Sequence, residues 1–258
     1  AQRLQSAGYE TFAFVGNANL GRDNGFARGF DHFVTRDDTG GVTWDAFALE
    51  GAVRSTLAEH PRDERPRFLF LHFFDPHWPY DPQGDTDLAG EPRLRDDTLE
   101  AWTAEVTRDP SLRADFDSDR RSILDDLDAY DREVVNVDAV LARLLPDIAA
   151  DERLVVLASD HGEVLWDRRH HDVVVDRDLA RTGETRSLRD VFYRDHAYHM
   201  TRELLFTPLL AWGAGIPAGR RVSDPVENVD IVPTLLRAAG LADDPTLDGR
   251  PLQDVLSG

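Results

Sequence analysis

Short apolar runs alternate along the chain with longer stretches in which apolar residues return every three or four positions, a pattern of strands set between helices. Gln2 to Ala7 reads as a helix end closed by Gly8, and Tyr9 to Val15 follows as a short strand that breaks at Gly16-Asn17. Trp44 to Glu59 predicts a helix, and Phe68 to Phe74 an almost wholly apolar strand. From Ile123 through Leu145 the residues Leu127, Tyr130, Val134, Val137, Leu141 and Leu144 keep helical spacing and lead to Pro146. Leu154 to Ser159 predicts a strand buried on both faces, and Glu203 to Trp212 another. Gly213 to Arg221 is a glycine-proline turn, after which Asp230 to Leu236 starts a helix with Pro233 near its first turn.

Two stretches break this alternation. Residues 81–118 are rich in Asp, Arg and Pro, with a weak helical pattern around Leu99 to Val106, and residues 166–194 are equally polar. Both read as insertions over the strand ends. Gly25 to Asp31 is a glycine-punctuated aromatic loop, expected to serve packing. Helices alternating with buried strands predict an α/β fold with a predominantly parallel sheet. The 258 residues suffice for one large domain spanning 1–258, with 213–258 as its closing turn and helix.

Composition narrows the function classes. With no cysteine, a disulfide framework, a zinc knuckle and a thiol nucleophile are excluded. Asp and Glu number 49 against 29 basic residues, all of them arginine, and the formal charge of −20 opposes phosphate backbones and anionic membrane surfaces. Nucleic acid is therefore not an expected partner. No window approaches the roughly 18 apolar residues of a membrane span. The chain opens on Ala1 in what reads as the middle of a helix, with no leader pattern, so its cellular location stays open.

The Leu154 strand stops on Asp160-His161-Gly162-Glu163, which delivers a carboxylate and an imidazole together. An Asp-His pair often serves as a structural cap, but Gly162 permits close backbone approach and an apolar strand behind the pair favours ligation. A hard oxygen beside a borderline nitrogen leaves calcium, manganese and zinc open. Two further segments carry histidine beside an apolar strand: Asp75-Pro76-His77-Trp78-Pro79-Tyr80, and His196-Ala197-Tyr198-His199. Strand ends that meet on one rim would gather the three segments into one site. There a histidine can bind ester oxygens or protonate a leaving group.

These residues resemble the sulfatases of the alkaline phosphatase superfamily. The matching pieces run in order: Gly8 to Val15, Gly25 to Asp31, Phe70 to Tyr80, Tyr130 to Asp138, Ser159 to Glu163, Glu203 to Leu209, Gly215 to Gly219, Val229 to Leu236 and Asp248 to Leu252. The resemblance implies an alkaline phosphatase-like mixed, mostly parallel sheet flanked by helices, and cleavage of small-molecule or glycan sulfate monoesters. It places Asp160 and His161 as ligands of one divalent cation, calcium first. It places His77 and His196 as catalytic and sulfate-contacting residues, with His199 also eligible for binding. The family's formylglycine-forming Cys or Ser, the aspartate pair and the strand that carries them are expected upstream of Ala1, so the chain reads as the carboxyl-terminal two-thirds of the enzyme. Phosphodiesterases, phosphonate hydrolases and phosphoethanolamine transferases share the scaffold and are the alternative, as is an inactive anion-binding fragment.

Overall fold

The computed structural model describes residues 1–35, 44–84, 96–113, 116–149, 153–169, 187–196 and 200–256. In chain order these form α1 (Gln2–Ser6), β1 (Glu10–Val15), β2 (His32–Thr35), α2 (Ala46–Glu59), β3 (Arg67–His72), α3 (Asp96–Arg108), α4 (Phe116–Ile148), β4 (Leu154–Ala158) and β5 (Val164–Arg169). They continue as α5 (Leu188–Val191), β6 (Phe192–Asp195), α6 (Arg202–Leu205), β7 (Leu209–Gly213), α7 (Ile231–Ala238) and α8 (Leu252–Leu256). The chain divides into two compact units: Ala1–Asp85 with Glu133–Ala158 and Leu209–Gly258, and Thr86–Arg132 with Ser159–Pro208.

In the first unit β1 lies between β2 and β3, parallel to both, and all six of its residues are buried. Alternation divides its side chains between two faces. Phe12 and Phe14 join Trp44, Ala46, Leu49 and Val53 around α2 and Val140 and Leu144 of α4, while Ala13 and Val15 join Phe33. A strand covered on both sides reads as an unbroken apolar run, which is why β1 is legible in the sequence. Asp45 fixes the start of α2 by accepting the Ala48 N–H at 2.8 Å. At the other end of the unit Asp230 is buried, and its two carboxylate oxygens accept the backbone N–H groups of Glu227 and Arg250.

Three expectations change here. The helix predicted to end before Pro146 runs on to Ile148, because a proline in the final turn removes only one hydrogen bond, and Ala149 N still donates to Leu145 O. The strand predicted over Glu203 to Trp212 is instead the single turn α6 followed by β7, with Pro208 separating them. The strand predicted as buried on both faces, β4, pairs antiparallel with β7 and leaves Leu157 and Ala158 exposed. Among the described residues β7 is its one strand partner, so β4 lies in a two-stranded sheet.

The second unit is built largely from the stretches read as polar insertions. Trp102, Leu112, Ile123, Trp166, Leu188, Val191 and Phe192 form its core. Trp102 donates its indole N–H to Trp166 O at 3.1 Å. Trp166 has φ of 56°, beside the register shift that puts a bulge into the antiparallel β5–β6 pair. A few large aromatics thus give an otherwise polar sequence its own interior.

Candidate functional site

The turn that leaves β4 carries Asp160 and His161 into the second unit. Gly162 fixes its path: its N–H donates to Leu204 O at 3.0 Å, and a Cβ at this position would lie 1.9 Å from Glu203 O. Only a glycine allows α6 to approach so closely. The backbone N–H of His161 donates to Asp160 Oδ1 at 2.9 Å, holding the carboxylate against the turn. His161 Nδ1 lies 2.9 Å from Gly162 O, so that nitrogen carries the proton and Nε2 presents its lone pair.

His161 Nε2 is 3.7 Å from Asp160 Oδ2, too far for a hydrogen bond and a separation that two ligands of one cation adopt when each bond is about 2.0 to 2.6 Å. The side chains keep 41% and 78% of their exposure, so both donor atoms remain reachable. The donor pair therefore fits a divalent cation.

His196, at the end of β6, completes the group. Its ring lies 4.1 Å from that of His161, and its Nδ1 sits 3.1 Å from Glu163 Oε2. The Glu163 carboxylate thereby orients the second imidazole, while its other oxygen, Oε1, is buried with no hydrogen-bond partner among the described residues. Glu163 was visible as the last residue of the Asp-His-Gly-Glu run, but nothing in the spacing linked it to a histidine 33 positions away. His199 lies outside the described residues.

His77 belongs to the first unit, in the loop after β3, where the Asp75–Pro76 and Trp78–Pro79 bonds are cis. The Phe74 ring stacks on the imidazole at 4.3 Å and fixes its plane. Two acids of the same unit have unusual character. Burial pushes the Asp75 carboxyl up to about 6, assisted by the charge of Asp45 and opposed by the Ala46 N–H. Glu133 is pushed up to about 7, chiefly by burial and in smaller part by the nearby Asp75 and Asp81 charges, against the Asp81 N–H. Glu133 Oε1 accepts the Asp81 N–H at 2.7 Å, whereas Glu133 Oε2 and Asp75 Oδ2 are buried with no hydrogen-bond partner among the described residues.

A carboxyl group raised in the folded state favours folding fully below its unfolded pKa, near 4.3 for Glu, and loses that contribution as pH climbs through the folded value. Glu133→Gln keeps an oxygen for Asp81 and abolishes the ionisation. The variant should therefore match the parent at acidic pH and exceed its stability by about 2 kcal/mol at alkaline pH, after discounting for screening. Thermal unfolding across pH reads this directly, and parallel curves would refute it.

Solved structures of the same architecture surround this chain. A protein crystallised with its substrate D-glucosamine-2-N,6-O-disulfate superposes with a TM-score of 0.63 at 18% identity, over 99% of this chain and 63% of that one. Phosphonate monoester hydrolase from Silicibacter pomeroyi does so with a TM-score of 0.58 at 18% identity, over 99% and 60%. The fold is thus alkaline phosphatase-like. A family model described as Sulfatase matches residues 1–241, and the chain belongs to that family. It is also 29% identical over 137 residues to the steryl-sulfatase of Rattus norvegicus, covering 50% of this chain and 22% of that protein. The chain therefore spans less than a quarter of that relative's length.

Proposed function

We propose that the protein containing this chain hydrolyses sulfate monoesters, with Asp160 and His161 as ligands of one divalent cation. The observation that carries this reading is the His161 imidazole: its Nδ1 proton is committed to Gly162 O, and its Nε2 faces Asp160 Oδ2 at 3.7 Å. Calcium is the first expectation for the cation, which when bound would neutralise charge on the ester oxygens. His196, oriented by Glu163, supplies a donor for a sulfate oxygen. Histidine donors and a cation also give a chain of net charge −20 a local attraction for an anionic ester.

The substrate class is a small sulfate ester, and a sulfated amino sugar of the kind bound by the solved relative is the first candidate. The test is a panel run on the full-length protein: aryl sulfate, glucosamine 6-sulfate, a phosphonate monoester and a phosphodiester. The expected order places a sulfate ester first in kcat/KM, and preference for the phosphonate or phosphodiester would overturn the reading. Among the described residues no helix is long and apolar enough to cross a membrane.

A further inference from the structure

The parallel sheet has a second set of ligand-type atoms, on the edge away from the His77 loop. Glu10 opens β1, His32 opens β2 and His60 closes the carboxyl end of α2, so all three lie at the amino edge, whereas Asp75 and His77 follow the carboxyl end of β3. One ligand atom from each of Glu10, His32 and His60 lies within 4.8 Å of the other two. We propose that these three residues form a binding site for a first-row transition cation of the zinc class, which would clamp β1, β2 and α2 together.

The donor set selects the class of ion. Two imidazole nitrogens and one carboxylate oxygen suit zinc, cobalt or nickel and are a poor match for calcium or magnesium, which take oxygen. Two ligands of one zinc ion sit about 3.3 Å apart, a spacing that Glu10 Oε1 and His32 Nε2 already have at 3.4 Å, so any closing falls to His60 within the 4.8 Å group.

The surroundings already hold the ligands in place. Arg67 donates from Nε to Glu10 Oε2 at 2.8 Å and from its terminal nitrogen to His60 O at 2.7 Å, so one buried guanidinium positions two of the three residues. Phe12 stacks on the His32 ring at 4.4 Å, and the His32 and His60 rings approach to 3.8 Å. With Oε2 engaged by Arg67, Glu10 turns Oε1 toward His32 Nε2 at 3.4 Å. Outer hydrogen bonds that orient ligands in this way are the usual support of a metal site. Arg65 also approaches Glu10 Oε1, at 3.2 Å, but its Nε bonds Asp63 at 2.8 Å and its side chain is half exposed, so it can withdraw when a cation enters.

The experiment is a calorimetric titration of zinc chloride into the full-length protein carrying Asp160→Ala and His161→Ala, which disables the other candidate cation site. One saturable equivalent per chain is expected, accompanied by a rise in Tm, because an ion that binds only the folded state stabilises it. Adding His60→Gln or His32→Gln should abolish that equivalent and the Tm shift together, with far-ultraviolet circular dichroism confirming that each variant folds. Calcium chloride should give no saturable binding in the same background. Absence of a zinc equivalent in the starting chain overturns the proposal, as does an isotherm unchanged by both His60→Gln and His32→Gln.

Discussion

Replacing His161 by alanine in the full-length protein should lower kcat/KM for a sulfate ester by at least about a thousandfold, some 4 kcal/mol of transition-state stabilisation. The imidazole supplies one of two first contacts to the proposed cation, and its loss also removes the ring that lies 4.1 Å from that of His196. Stability should hardly change. The side chain is 41% exposed, and its hydrogen bond to Gly162 O returns to water. A Tm within about 3 °C of the parent is therefore expected, the range of an ordinary surface substitution. Steady-state kinetics beside a thermal melt separates the two effects, and a variant that melts normally yet keeps near-parental turnover would remove His161 from the cation site.

The neighbouring residue should behave in the opposite way. Gly162→Ala places a methyl group 1.9 Å from Glu203 O and 3.0 Å from Glu203 C, and both are backbone atoms that no rotamer change can move. Either α6 shifts or the turn does, at about 3 kcal/mol. The Tm should fall by roughly 6 to 12 °C. Gly51→Ala is the control: it lies inside α2 with nothing within 4 Å of the added Cβ, and it should raise stability by up to about 1 kcal/mol. Differential scanning calorimetry of the two alanine variants decides the matter. Equal melting temperatures would mean that α6 does not sit against the turn.

The contrast between adjacent positions shows what the sequence made legible. Gly162 could be read as a point of close backbone approach because it directly follows an Asp-His pair, although Glu203 as the approaching residue could not. β1 was legible because both its faces are covered, whereas α2, read as Trp44 to Glu59, begins two residues later, at Ala46 after its Asp45 cap. β2 was not legible, since its four residues set Phe33 and Val34 side by side between the polar His32 and Thr35 and show neither alternation nor length.

The largest gap concerns the second unit. Its core depends on Trp102, Trp166 and Phe192, separated in sequence by polar residues, so periodicity registers surface where the fold makes an interior. The misreading of Glu203 to Trp212 has a simpler cause: a continuous apolar run does not tell a helical turn from a strand, and Pro208 was the only mark of the boundary. Among site residues, the His161 and His196 rings lie 4.1 Å apart beside Asp160, and the partnership of Glu163 with His196 was hidden because it depends on tertiary placement. The raised acids Asp75 and Glu133 were equally hidden, because burial rather than sequence spacing gives them their character.

The cation is the centre of this account, and its direct measure is the metal content of the full-length protein, purified without chelator and compared with its Asp160→Ala variant by atomic emission. The parent should carry one divalent cation per chain more than the variant, and re-addition of calcium after chelation should restore sulfate-ester turnover in the parent alone. Equal metal content in the two proteins, or turnover untouched by chelation, would contradict the assignment of Asp160 and His161 as cation ligands.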